Sequence, residues 1–340
     1  MKKALGFTLW AFGRKKFEDL QPEAQSPVPR ASLSSPFTKT ASDRYARQGF
    51  EPIRLEMPIG SIIGAAWQAL GNAVQLLAFS AILFTFIVFV VKGQEAIDAG
   101  RRAVAEVRLN LWWYFLDAIF VAPVIGLVVT AIHAVVHRYS LEIVNGRTWE
   151  TAGRPVAFLA VIFLGDFISY WRHRLEHTRW LWPAHAIHHS DTEMTFLTLA
   201  RFHPVNRLVT TCVDIGFLAL LGFPAWAMVA NVLVRHYYGE FIHVDLPWMY
   251  GRLRYVFVPP AMHKWHHALD YIGSGSNFAT VFSVFDLAFG TYHVPGLCTG
   301  PLGVSDDPGK GILGQFMYPF VCWFNDLRHR DRGAQIDPAS

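Results

Sequence analysis

Eight of the chain's 15 histidines fall in three short boxes: His173-x-x-x-His177, His185-x-x-His188-His189 and His263-x-x-His266-His267. Neutral imidazole is the commonest metal ligand near physiological pH, and eight of them converging exceed the needs of one ion. The pattern therefore predicts a dinuclear metal centre. On a helix, His173 and His177 share one face about one turn apart. In each H-x-x-H-H box the first two histidines share a face and the third points slightly aside. Such a box can serve two ions at once.

Further histidines extend the set. His243, in GEFIHVDLPW, is the best candidate for a ninth ligand, and His236 lies two turns earlier on the same helical face. His203, in RFHP, is placed to orient a ligand or line a substrate entrance. His133 and His137 read as interfacial side chains at the end of an apolar block, and His293 and His329 as ordinary surface or packing residues. A ligating imidazole usually donates its second nitrogen's proton to a carboxylate or carbonyl. The carboxylates nearest in sequence are Asp166, Glu176, Asp191, Glu193, Asp270 and Asp286. Asp166 stands out because it interrupts an apolar helix, where acids are costly. By ligand type, zinc, iron, copper or nickel would serve. Four nitrogens saturate zinc, whereas eight or nine suit two five- or six-coordinate redox ions.

The elements that must position these boxes read as membrane. The chain is 52% hydrophobic and 16% charged, against about 25% charged in average usage. No charge occurs between Glu56 and Lys92, and residues 71–91 are long enough as a helix to cross roughly 30 Å of hydrocarbon. Further apolar blocks cover 111–136, 155–171 and 215–234, the last broken by Gly222-Phe223-Pro224. The break allows a helical hairpin of two half-spans or a kinked single span; a hairpin would return the chain to one face and bring both H-x-x-H-H boxes together. The fold class expected is all-α, an integral membrane helical bundle with a histidine-rich catalytic cap at the cytoplasmic membrane surface. Residues 1–57 read as a disordered polar tail that begins like a secretory signal but carries no convincing cleavage site, and 58–330 as one membrane-embedded domain with its histidine core at about 155–320. Basic residues of the tail favour a cytoplasmic N-terminus, while those around the boxes favour a cytoplasmic site. Three full spans between them would set these two expectations against each other.

Net charge is +4 with a pI near 9.0, yet the basic residues are scattered and no nucleic-acid motif appears. Cys212, Cys298 and Cys322 stand far apart, form no C-x-x-C, and read as buried or unreactive thiols.

The boxes and their flanks, DFISYWRHRLEH, WPAHAIHHS, LARFHP, FIHVDLP, VPPAMHKWHHALD and GSNFATVFSVFDLAFGTYHVP, resemble the fatty acid hydroxylase/sterol desaturase superfamily of membrane di-iron enzymes. The resemblance covers roughly 155–320. It implies two iron ions held by His173, His177, His185, His188, His189, His263, His266 and His267, with His243 added. It also implies O2 and two electrons spent on an aliphatic C–H of a lipid drawn from the bilayer (a fatty acyl chain, a sterol or a lipid head group). Asp166, His203, His236, Asn277 and Asp286 are then candidates for supporting the ligands or meeting substrate. Phe278 departs from the family's usual Tyr after the Asn. Trp171, Trp182, Phe196, Phe202 and Phe241 are candidate walls. FHPVN lacks the His-Pro-Gly-Gly of a fused cytochrome b5, so an external ferredoxin, cytochrome or reductase is implied. Desaturation or ether-lipid oxygenation at the same centre is the alternative outcome. A bis-histidine haem protein or a metal transporter would instead need ligands within the spans.

Overall fold

The computed structural model describes residues 59–269 and 275–334, and every regular element among them is helical. The tail expected over 1–57 and Asp270 lie outside the described residues. Helix α1 (Ile59–Lys92) is the uncharged block. After a turn at Gly93, α2 (Glu95–Leu116) passes through a π turn, Asp117–Val121, into α3 (Ala122–Arg138). The second apolar block is thus the inner part of a longer helix whose polar start, with Glu95 and Asp98 in its first turn, suits the positive end of the helix dipole. A short α4 (Gly146–Ala152) begins at Asn145, whose side chain accepts the Arg147 N–H, and α5 (Arg154–Glu176) follows.

Among the described residues, three helical stretches are long and apolar enough to cross a membrane: Leu70–Lys92, Glu95–Arg138 and Arg154–Glu176. Large apolar side chains face outward along them, among them Phe79, Ile82 and Phe86 of α1, Leu127 of α3 and Leu159 of α5. Apolar surface of that extent requires lipid around it.

The broken fourth block is a helical hairpin. One arm comprises α7 (Pro204–Thr210), a π turn (Thr211–Ile215) and α8 (Gly216–Leu220), and the other is α9 (Ala225–His243). α6 (Trp182–His189) precedes it. Both arms pack against α5, and Leu218, Phe223, Ala227 and Met228 join Val136, Val161 and Ile162 in one apolar core. Two glycines make this packing possible. Gly165 lets α5 approach α9 so closely that a Cβ there would lie 2.4 Å from Asn231 Oδ1. Gly222, at φ +66°, turns the chain where a Cβ would sit 2.1 Å from the Val144 carbonyl oxygen.

Beyond the hairpin come α10 (Pro260–His266), α11 (Val284–Ala288) and α12 (Ile312–Ala334). α12 is stitched over α6 and α2: Trp113 Nε1 donates to Gln315 Oε1 at 2.8 Å, and Gln315 Nε2 donates to Ser190 Oγ at 3.2 Å. Cys212 is exposed, Cys298 buried and Cys322 intermediate; all three are free.

Gly222→Ala combines a left-handed backbone with a backbone clash, a cost of about 1–3 kcal/mol or more. Its melting midpoint in detergent should fall clearly below that of the wild type, and an unchanged midpoint would show that the turn relaxes freely.

Candidate metal centre

The nine histidines reach one place from four elements. α5 ends on His173 and His177, α6 carries His185, His188 and His189, α9 ends on His243, and α10 with its C-cap carries His263, His266 and His267. α6 and α10 are too short to be stable alone. Each starts with a proline in its first turn and is held by packing against its neighbours.

Side-chain nitrogens sort into two groups, and within each the ligand atoms all lie within 4.8 Å of one another. The first is His173, His177, His185, His189 and His266; the second is His188, His243, His263 and His267. Each H-x-x-H-H box divides between both groups, its i and i+3 histidines falling in different ones although they share a helical face. The groups share a wall in which the His189 and His267 rings stack at 4.3 Å.

The nitrogens approach in a way that neutral imidazoles avoid by themselves. His173 Nδ1 donates to the Phe278 carbonyl at 2.8 Å, and His266 Nδ1 donates to the Ser276 carbonyl at 2.7 Å. A carbonyl only accepts, so both protons sit on Nδ1 and both Nε2 atoms present lone pairs. Those two Nε2 atoms face each other at 3.0 Å. Protonation does not relieve the repulsion near neutral pH, because burial pushes His266 down to about 4. In the second group His243 donates Nδ1–H to the Gly239 carbonyl at 2.6 Å, and burial likewise pushes it down to about 4. Its Nε2 lies 3.1 Å from that of His188 and 3.0 Å from that of His263. Two nitrogens bound about 2.1 Å from one ion and at right angles are about 3.0 Å apart, whereas tetrahedral angles spread them to about 3.4 Å. The buried Nδ1 and Nε2 of His267 both lack a hydrogen-bond partner. This donor set fits metal cations with more than four ligands.

Backbone carbonyls, not carboxylates, receive the imidazole protons of His173, His243 and His266. The acids act one step further out. Asp166 accepts the N–H groups of Thr280, Val281 and Phe282 at 3.3, 3.1 and 2.8 Å. Asp286 accepts those of Phe278 and Ala279 at 2.8 and 3.0 Å, together with the Thr291 hydroxyl at 2.7 Å. Asn277, left-handed at φ 58°, donates to the Met262 and His293 carbonyls. These three residues fix the loop whose carbonyls orient His173 and His266, and none of them bonds an imidazole directly.

Glu176 comes nearest to a ligand, its Oε2 lying 3.8 Å from His185 Nδ1. It belongs to a buried network with Arg172, Ser169, Asp214 and Arg235, which the sequence reading missed. The available signal was four charges embedded in apolar helices. Asp191 bonds Asn110 and Thr198, and Glu193 lies 3.9 Å from Arg102.

His203 caps α7 by accepting the Val205 N–H and donates Nε2–H to the Phe316 carbonyl, so it orients no ligand. His236 lies outside both groups, 3.5 Å from Glu240. His133 and His137 are exposed and also lie outside both groups. His293 receives Asn277, and the His329 side chain lies outside the described residues. Of the expected walls, Trp182 packs on His177 and His189, and Phe202 on His188 and His185. Phe278 covers His173, His177 and His266. Phe196 and Phe241 instead pack with Phe84, Val244 and Leu246, and Trp171 packs against Phe289.

An all-helical bundle in which nine histidines form two tight groups reached by the end of the membrane-length helix α5 is a histidine-box membrane protein. Residues 158–291 match the family model described as fatty acid hydroxylase, within the 155–320 core. The chain is 30% identical over 170 residues to the ornithine lipid hydroxylase OlsE of Rhizobium tropici, covering 49% of this chain and 51% of that protein. It is 32% identical over 148 residues to the very-long-chain aldehyde decarbonylase GL1-8 of Oryza sativa, covering 42% and 53%. With the methylsterol monooxygenase 2-2 of Arabidopsis thaliana it shares 30% identity over 151 residues, covering 42% and 54%. The chain thus spans about half the length of the curated relatives it matches. No solved structure matches it. Residues 158–291 thus match the fatty acid hydroxylase family, and the curated relatives support the fatty acid hydroxylase/sterol desaturase superfamily for that domain.

Removing the Asp166 carboxylate leaves three loop N–H groups without their acceptor, at about 1–3 kcal/mol per unsatisfied buried group. Asp166→Ala should melt earlier than the wild type even after both are stripped with chelator. Equal midpoints would show that the loop holds itself.

Proposed function

We propose that the protein is a membrane di-iron oxygenase that uses O2 and two electrons to hydroxylate an aliphatic C–H of a lipid. The observation that carries this reading is the lone-pair-to-lone-pair approach of His173 and His266 within a five-nitrogen group, beside a second group of four. One iron would be held by His173, His177, His185, His189 and His266, the other by His188, His243, His263 and His267. Bound there, iron supplies the oxidising chemistry with O2 that an unactivated C–H demands and that no side chain provides.

The protein's own part is positional. The carbonyls of Phe278, Ser276 and Gly239 keep protons on Nδ1 of His173, His266 and His243, leaving Nε2 free to bind. Trp182, Phe202 and Phe278 wall the imidazoles off from water. The lipid enters from the bilayer beside α5, whose last turn carries the first two ligands. Electrons come from an external ferredoxin, cytochrome or reductase.

The site faces the cytoplasm in this reading, supported by Arg101, Arg102, Arg174 and Arg179 near the helix ends on its side. Three crossings then start α1 on the opposite face.

His188→Ala and His266→Ala, one from each group, should each lower bound iron and abolish formation of a lipid heavier by one oxygen in lipidomic comparison. His137→Ala should be silent in both assays. Full activity in both group variants would sink the ligand assignment.

A further inference from the structure

Helix α12 is packed on one side only. Gln315 and Pro319 are buried on its inner side, whereas Leu313, Met317, Phe320, Val321, Phe324 and Leu327 are 40–73% exposed. Their spacing, i, i+4, i+7, i+8, i+11 and i+14, puts them on one stripe of the helix. A continuous row of large apolar side chains facing outward marks a surface that something covers. The stripe belongs neither to the histidine groups nor to the matched family region, which ends at residue 291.

What covers it follows from where the helix is pinned. Gln315 Oε1 accepts the Trp113 Nε1–H at 2.8 Å. Trp112, Trp113 and Tyr114 stand where the charges of α2, Glu95 to Arg108, give way to a stretch with Asp117 alone before Arg138. Aromatic residues gather at such a membrane boundary. The rings of Phe316 and Phe320 lie 5.4 and 5.6 Å from that of His203, the N-cap of α7, where the hairpin starts. Trp323 Nε1 donates to the Trp180 carbonyl at 2.8 Å, four residues past the end of the α5 span. Three places where helices enter or leave the apolar layer are thus strung along about 12 Å of α12. Its axis therefore follows the boundary plane. Length excludes a crossing as well: residues 312–325 carry no charge but reach only about 21 Å, against roughly 30 Å of hydrocarbon. Asp326, Arg328, Arg330, Asp331 and Arg332 follow them.

We propose that α12 is an in-plane membrane anchor, its apolar stripe seated among the outer acyl-chain segments of the leaflet on the histidine side. Lipid is the occupant because the stripe continues an apolar surface at the same level: Trp112 is 61% exposed beside Trp113, and Trp180 is 49% exposed where Trp323 meets it. The seat has a consequence for the site. Gln315 Nε2 also donates to the hydroxyl of Ser190, the C-cap of α6, and α6 carries His185, His188 and His189. A helix held in the interface thereby holds three of the histidines at a fixed depth.

The test uses the full chain in nanodiscs of phosphatidylcholine and phosphatidylglycerol. In a background of Cys212→Ser, Cys298→Ser and Cys322→Ser, nitroxides are attached one at a time at Leu313→Cys, Val321→Cys and Phe324→Cys. Asn325→Cys, about 100° around the helix from Phe324, serves as the polar control. Electron paramagnetic resonance compares collisions with O2, which concentrates among acyl chains, and with a nickel chelate, which stays in water. The three stripe labels should favour O2 and lie about 5–10 Å below the phosphates, and the Asn325 label should favour nickel. Stripe labels open to nickel overturn the proposal. So do labels shielded from both probes and broadened by a label on a second copy. If the cysteine-free chain fails to fold, wild-type protein photolabelled by phosphatidylcholine with a diazirine in its acyl chain decides. Adducts within 313–327 support the seat; adducts on α1 with none in 313–327 overturn it. Neither readout involves iron or turnover, so the oxygenase reading and the anchor can fail separately.

Discussion

The arrangement depends on a repulsion. Two buried imidazoles, His173 and His266, have their protons fixed outward on carbonyls and their lone pairs turned on each other at 3.0 Å. Burial makes acquiring a proton unfavourable for His266. A multivalent cation converts the same contact into two bonds. Much of the rest of the domain serves to hold these rings where they would otherwise separate.

That holding is done in layers. The loop after α10 supplies the carbonyls of Ser276 and Phe278, and Asp166 and Asp286 hold the loop through five backbone N–H groups. Beneath it, Arg172, Glu176, Asp214 and Arg235 tie α5 to both arms of the hairpin, with Asn206 and Thr210 completing the bonds to Glu176. A buried charge network is poor at adding net stability but costly to break, which suits fixing one arrangement. Above it, Asp245 accepts Lys92 at the end of α1 and Lys264 beside His263, each at 2.5 Å. A membrane helix outside the matched family region is thereby linked to the site.

Spacing made the metal groups legible from sequence: i, i+3 and i+4 on short helices leave few ways to point three imidazoles. The broken apolar block allowed a hairpin or a kinked span, because glycine and proline within an apolar run either end or bend a helix, and the structure takes the hairpin. The supporting roles were not legible. Asp166 lies far from residues 280–282 in sequence, and nothing local marks a carboxylate as an acceptor for a distant loop rather than for an adjacent histidine. His236 shows the limit of helical periodicity. It shares a side of α9 with His243, yet two turns carry it past the histidine groups to Glu240. The polar extension of α2 to Glu95 escaped notice because hydropathy identifies the membrane-buried part of a helix, not its ends.

The most direct test of the account is the metal itself: elemental analysis and Mössbauer spectroscopy on detergent-purified protein expressed with ample iron. The account predicts about two irons per chain in distinct, nitrogen-rich sites of more than four ligands. One zinc per chain and no iron would contradict it.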